Sequence, residues 1–229
     1  MQQALPRTGL NGSALVALLA QWGLVDRSTA APSFVAGLGH WLGWKESIEV
    51  SAALQAPLAL VAAGENATPA SLAAHAALAQ EFSRVRRALR LAIADETATS
   101  LEHGTRFAPF RRHYLDLQHT MASAIAPLRE QAREALAPLS LPMARLAALD
   151  AVMCEALGAR EQSLLALLPV LLEKHFARLQ QVQDPLDWRL VFRRDMQRLL
   201  AAELDLRLQT ALGLLDTVRA AQPAHDLVS

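Results

Sequence analysis

Apolar side chains recur at steps of three or four residues from Trp188 to Val218, which is the spacing of one face of an α-helix. Asp184 and Pro185 precede this stripe and are typical of a helix N-cap and first turn. The pattern predicts one helix that ends near Arg219 and is roughly 50 Å long. A helix of this length buries its apolar face most simply against other long helices. The stripe consists of Trp188, Phe192, Met196, Leu200, Leu204, Leu208, Ala211, Leu215 and Val218.

Two earlier segments, 69–96 and 106–137, carry the same periodicity and predict two more long helices. Pro127 lies inside the second segment and predicts a kink or a new helical segment there. The stripe of the first segment is Leu72, His75, Ala79, Phe82, Leu89 and Ile93. The stripe of the second is Phe107, Phe110, Tyr114, Leu117, Met121, Ile125 and Leu128.

A fourth helical segment begins after Ser140 and Pro142, and Gly158 and Pro169 are expected to bend it or divide it. Cys154, the one cysteine of the chain, lies beside its apolar stripe and is interpreted as a small core residue. The predicted stripe is Leu146, Leu149, Met153, Leu157, Leu164, Leu168 and Leu171.

Arg160 and Glu161 interrupt this fourth stripe. The apolar face between Leu157 and Leu164 must pass through one of them, and a buried charge must be paired or reach solvent. We predict a polar layer that fixes the register of neighbouring helices, or a bend at Gly158 that turns both side chains outward. An active-site carboxylate is the alternative interpretation.

The composition favours an all-α fold, because Leu and Ala dominate an apolar fraction of 52% and aromatic residues make up only 5%. We predict an elongated antiparallel bundle of long helices with a small N-terminal helical subdomain. Residues 1–56 form the predicted subdomain, 57–68 a linker, 69–220 the bundle and 221–229 a flexible tail.

The sequence of the N-terminal part predicts short helices. Ser13 is the predicted N-cap of a helix that ends near Trp22, and leucines on one face of it favour a helix over a signal peptide. Residues 32–43 predict a second helix, and 45–54 a short third helix, with a strand as the alternative.

The stretch GLGHWLGWKE, residues 37–46, concentrates three glycines and two tryptophans. On the predicted second helix, small residues would line one side and allow another backbone to approach closely. Gly43 is suited to a helix C-cap, after which Trp44 would fold back onto Leu38. The interaction candidates are Ala36, Gly39, Trp41, Gly43 and Trp44.

Charge argues against a general affinity for polyanions, because 22 basic and 22 acidic residues give zero formal net charge at pH 7. We expect no nucleic-acid partner and no cofactor. No apolar stretch is long enough to span a bilayer, so we expect no transmembrane segment and a cytoplasmic location.

Arginines nevertheless cluster in the first two long segments. Binding of nucleic acid through this basic cluster is one hypothesis, whereas pairing with acidic residues of the other helices is the simpler interpretation. The basic cluster consists of Arg84, Arg86, Arg87, Arg90, Arg111 and Arg112.

His113, Asp116 and His119 approach the spacing of metal ligands on a helix. The inward positions of that helix belong to its apolar stripe, so these three side chains are expected on a solvated face. We therefore predict no metal site.

Five stretches carry a family resemblance: RTGLNGSALVALLA, FVAGLGHWLGWKESIEVSAAL, FAPFRRHYLDLQHTMASAI, ALDAVMCEALGAREQSLL and FRRDMQRLLAAELDLRLQ. Together they are similar to a proteobacterial family catalogued as domain of unknown function 3348. The resemblance implies an all-helical protein with no assigned activity, so no functional residue is carried over. Members of that family tend to be encoded near proton-channel-like inner-membrane proteins and OmpA-like proteins. The resemblance therefore implies an accessory of an envelope assembly, associated with the inner membrane.

These features favour a non-catalytic helical interaction protein or scaffold that binds a protein partner or a second copy of itself. The alternative is an enzyme or metal-binding bundle that uses interior polar residues, with Arg160, Glu161 or Asp116 as candidates. That alternative requires a closed polar pocket.

Overall fold

The computed structural model describes residues 13–25, 44–55, 69–95, 106–181 and 187–221. Within these ranges the chain is helical, with no strand, which confirms the predicted all-α fold of packed helices. The predicted helix at 32–43, the linker at 57–68 and the tail beyond 221 lie outside the described residues, as do Asp184 and Pro185. The helices are α1 (Ala14–Gln21), α2 (Trp44–Gln55), α3 (Pro69–Ala94), α4 (Ala108–Leu136), α5 (Leu141–Leu165), α6 (Leu168–Gln180) and α7 (Asp187–Ala220).

Helices α4 and α7 form the centre of the bundle. Helix α7 contacts α1, α3, α4 and α6, and α4 contacts α3, α5 and α6 as well. Every residue of the stripes predicted for these two helices is buried. On α3, the structure buries the predicted Phe82, Leu89 and Ile93 and also Leu78 and Val85. A 3.6-residue periodicity that is regular over many turns therefore located the central core correctly.

Serine side chains begin two of the helices, as predicted. The Ser13 hydroxyl accepts a hydrogen bond of 3.2 Å from the backbone N–H of Val16, and the Ser140 hydroxyl accepts one of 3.4 Å from that of Met143. Each such cap stabilises its helix by about 1 kcal/mol. Helix α1 ends at Gln21, and Gly23 follows its C-cap residue Trp22 with a φ of 65°, in the left-handed region that glycine adopts without strain.

The structure has one of the three predicted divisions and lacks the other two. Helix α4 continues through Pro127, so no new segment begins there. Pro127 is exposed, and the carbonyl group that lacks its helical donor there can be hydrated. The fourth segment divides at Ala166 and Leu167, and Pro169 lies in the first turn of α6, which agrees with the division predicted near this proline. Gly158 lies within α5 without ending it.

The stripe predicted for α5 is wrong in part. Leu146 and Leu164 are exposed, whereas the buried residues of the helix are Ala147, Asp150 and Leu165. The physical reason is that α5 carries Leu and Ala on several sides, so its apolar pattern does not select one face. Cys154 beside this face is half-buried.

Helix α1 packs on the bundle. Leu15, Leu18 and Leu19 are buried and join the same hydrophobic core as α7. Helix α2 packs against α5, and its helical conformation excludes the strand alternative. Trp44 is the first residue of α2 and is 89% exposed, whereas Leu38, its predicted contact, lies outside the described residues. Within the described ranges, no helix is both long and apolar enough to cross a membrane.

Candidate functional site

A polar cluster lies in the core between α4 and α7, and we call it the Glu203 cluster. It consists of Tyr114, Gln118, Glu203 and Arg207. The Tyr114 hydroxyl donates to Glu203 Oε2 at 2.7 Å, and Gln118 Nε2 donates to the same carboxylate at 2.9 and 3.0 Å. Arg207 donates from Nε at 2.9 Å, and its Nη2 lies 2.7 Å from Glu203 Oε1. Glu203 is fully buried.

The Glu203 cluster joins three helices. Gln118 on α4 also donates to the backbone carbonyl of Leu165, the last residue of α5, at 3.2 Å. Glu203 and Arg207 lie at the four-residue spacing that is common for exposed ion pairs on a helix, so this spacing alone does not reveal that Glu203 is buried. Sequence analysis did not single out Gln118. Leu199 was a sequence signal for the burial of Glu203, because residues four positions apart lie on the same face of a helix. In the structure Leu199 is buried on a second inward face of α7.

Burial changes the proton affinity of the tyrosine in this cluster. Desolvation raises the pKa of Tyr114 far above its ordinary value of 10, and the negative charge of Glu203 raises it further. Tyr114 therefore stays protonated and serves as a hydrogen-bond donor. Since both carboxylate oxygens of Glu203 accept hydrogen bonds within the chain, the cluster is a closed structural network.

A second buried carboxylate joins α5 to α4. Asp150 accepts hydrogen bonds from Arg129 at 2.8 and 2.6 Å and from Arg133 at 3.1 Å. Arg133 also pairs with Glu130 on its own helix. Burial alone would lower the pKa of Arg129, but the hydrogen bond and the charge of Asp150 outweigh it, so that this pKa is raised.

A third polar group connects α1 to α6 and α7. His175 Nε2 lies 2.7 Å from Asp195 Oδ2, and both residues are buried. Trp22 stacks on the His175 ring with centroids 4.2 Å apart and an interplanar angle of 11°. Arg178 Nη1 donates to the carbonyl oxygen of Trp22 at 2.7 Å. Arg198 Nη1 also lies 3.4 Å from Asp195 Oδ1.

The residues predicted for a polar layer do not form one. Arg160 and Glu161 are both exposed on α5, in agreement with the alternative that their side chains face outward. The buried polar layer of the bundle is the Glu203 cluster. Asp116 and His119 are exposed, and His113 is half-buried. The described part of the chain brings no three His, Cys, Asp or Glu residues together in a group able to hold a metal ion.

The remaining predicted residues separate into two sets. Ala36, Gly39, Trp41 and Gly43 lie outside the described residues. The basic cluster divides, because Arg111 and Arg112 are exposed on α4 and do not line the groove that the α3 arginines form. The α3 arginines line an open groove of about 750 Å³ together with an arginine from the end of α7. The arginines of this groove are Arg84, Arg86, Arg87, Arg90 and Arg219.

Fold and site together define an all-helical bundle protein that is joined internally by buried polar clusters and carries an arginine-lined surface groove. The profile of a family described as "Protein of unknown function (DUF3348)" matches residues 1–220. The chain belongs to this family, which confirms the resemblance of its five segments. No curated protein and no solved structure matches the chain.

Proposed function

We propose that the protein is a non-catalytic helical interaction protein, a scaffold that presents the surface of its bundle to a partner protein. The observation that carries this proposal is a junction strip made of Leu164, Leu167 and Val170, at the turn between α5 and α6. These side chains are 57%, 54% and 47% exposed. Apolar side chains concentrated in one short exposed stretch mark interaction sites, whereas isolated exposed leucines are ordinary.

The buried polar groups support a structural role for the interior. Glu203, Asp150 and His175 each contact side chains of another helix at hydrogen-bond distance. A general acid or base must reach a proton of the substrate, but these groups already have partners within the bundle. Arg160, Glu161 and Asp116, the candidates for an enzyme or metal site, lie on the surface, which favours the interaction protein over that alternative.

A pull-down from the native host tests the proposal. Wild-type protein is compared with the double variant Leu164→Ser, Leu167→Ser and with the matched control Leu190→Ser, Val191→Ser. Leu190 and Val191 are 59% and 40% exposed on a different helix. We expect mass spectrometry to find the same captured proteins for wild type and control and to find them lost from the junction variant. Equal capture by all three would contradict the proposal.

The family resemblance extends this proposal to an envelope-associated assembly. The same pull-down tests the extension, because it predicts inner-membrane proteins among those captured. If the captured partners include no membrane protein, the interaction function is still supported but the proposed role in an envelope assembly is contradicted.

A further inference from the structure

The arginine groove follows α3. It extends from Ala79 to Leu91, a stretch of roughly 18 Å at the rise of an α-helix, and Arg219 of α7 forms part of its other side. An α-helix of about 12 residues has the same length. The groove is therefore long enough to hold three turns of a helix laid along it.

Carboxylates of the same chain compensate only part of its charge. Arg84 pairs with Glu81, Arg90 Nη2 lies 2.8 Å from Asp205 Oδ1, and Arg219 Nη1 lies 3.6 Å from Asp216 Oδ1. Arg86 and Arg87 are exposed and form no ion pair among the residues described. Two positive charges are thus available to an external anion.

The groove also offers an apolar contact. Leu91 lines it and is 66% exposed, and Ala79 lines it at the other end. A ligand that matches this surface combines carboxylates with at least one apolar side chain. An amphipathic helix supplies both at i, i+3 and i+4 spacing.

We propose that the arginine groove binds an acidic amphipathic helix of a partner protein through Arg86, Arg87 and Leu91. This inference rests on the proposed interaction function and names the chemistry of the partner. Nucleic acid fits the surface less well, because no aromatic side chain lines the groove to stack on bases.

Charge reversal in the groove tests the proposal. The variant Arg86→Glu, Arg87→Glu is compared with Arg111→Glu, Arg112→Glu, an adjacent exposed arginine pair on α4 that does not line the groove. The probe is a fluorescent helical peptide of about 16 residues with glutamate and leucine on one face. A peptide with glutamine in place of glutamate, a DNA duplex and a single-stranded RNA are the competing probes.

We expect the acidic peptide to bind the wild-type chain in a salt-sensitive manner. The groove variant should bind it about tenfold or more weakly, because each reversal replaces an attraction by a repulsion, while the α4 variant changes less than about twofold. Leu91→Asp should also weaken binding. Both double variants should keep the helical circular dichroism and melting temperature of the wild type, since all four arginines are exposed.

Several results would overturn the proposal: no binding of the acidic peptide, equal loss in both double variants, or tighter binding of duplex DNA or RNA that depends on Arg86 and Arg87. A concentration-dependent dimer that only the groove variant abolishes would assign the groove to a second copy of this chain. The groove variant is also included in the pull-down described above. If partners are lost from the junction variant but captured by the groove variant, only the groove proposal is contradicted. If both variants capture the same partners as the wild type, the proposed interaction function is contradicted as well.

Discussion

Tyr114 on α4 donates a hydrogen bond of 2.7 Å to Glu203 on α7, and neither residue has measurable contact with solvent. Apolar stripes alone tolerate sliding of one helix along another by a turn, because leucines at successive turns are alike. A buried carboxylate that needs its donors at one position does not tolerate this. The bond therefore selects one register for the two central helices.

Glu203→Gln should destabilise the protein by about 3–5 kcal/mol, the cost of removing one partner from a buried ion pair. The substitution leaves Arg207, whose side chain is 13% exposed, without its countercharge. Chemical denaturation followed by circular dichroism measures the free energy of unfolding. Glu161→Gln, at an exposed position of α5, is the matched control and should change the free energy of unfolding by less than about 0.5 kcal/mol. Equal effects of the two substitutions would show that Glu203 is not the buried anchor described above.

Tyr114 should resist ionisation at alkaline pH in the folded protein. Its pKa is raised by burial and by the charge of Glu203, whereas in the unfolded chain it loses its proton near pH 10. The stabilising contribution is thus complete below about pH 10 and declines as pH rises above it, by about 1.4 kcal/mol per pH unit. Tyr114 is the one tyrosine in the sequence, so tyrosinate absorbance reports on it alone.

We expect no tyrosinate signal near pH 10 until the chain unfolds. The variant Tyr114→Phe removes the titrating group, so its free energy of unfolding should depend less steeply on pH above about 10 than that of the wild type. A reversible ionisation step near pH 10 in folded protein would contradict the buried position of the side chain.

The central helices could be predicted from the sequence because their apolar residues recur on a single face. Phe110, Tyr114 and Met121 on α4, and Phe192, Leu200 and Leu204 on α7, are all buried as expected. The periodicity is a direct consequence of helix geometry, and it needs no knowledge of the neighbouring helix.

The polar clusters could not be predicted in the same way. Glu203 and Arg207 lie at the four-residue spacing of a surface pair, and only the presence of α4 above them makes the site buried. Asp150 meets Arg129 and Arg133 across an interface whose position depends on how α5 packs. Such contacts are set by tertiary structure, whereas single-helix spacing carries no information about which helix covers which face.

The junction strip illustrates the same limit. Leu164 continues the predicted stripe of α5, yet Leu165 is the buried neighbour and Leu164 is exposed. A one-residue difference rotates a side chain by about 100° around a helix. Where leucine and alanine occupy several faces, sequence spacing does not determine which leucine the bundle covers.

Asp150→Asn should destabilise the protein by about 2–4 kcal/mol, because it removes the countercharge of Arg129 and Arg133 while keeping the shape of the side chain. Thermal and chemical denaturation measure the loss. Asp116→Asn, an exposed aspartate on α4, is the matched control and should be close to neutral. If Asp150→Asn left the free energy of unfolding nearly unchanged, hydration would compensate the charges of the two arginines as well as Asp150 does.

Trp22→Ala should loosen α1 without unfolding the central helices. Its ring stacks on His175 at 4.2 Å, and this contact adds to the three buried leucines that hold α1 on α7. Loss of an aromatic contact of this kind costs about 1–1.5 kcal/mol, which corresponds to roughly a tenfold increase in local opening. Hydrogen exchange read by mass spectrometry should therefore become about tenfold faster for α1 and stay unchanged in the middle of α4 and α7.

Trp44→Ala is the matched control for this experiment, because Trp44 is 89% exposed at the start of α2 and should affect neither region. His175→Ala should reproduce the faster exchange of α1, since it removes the other half of the stack. It should also lower the global free energy of unfolding, because Asp195 loses a buried partner at 2.7 Å. Unchanged exchange of α1 in both Trp22→Ala and His175→Ala would mean that the leucines alone hold this helix on the bundle.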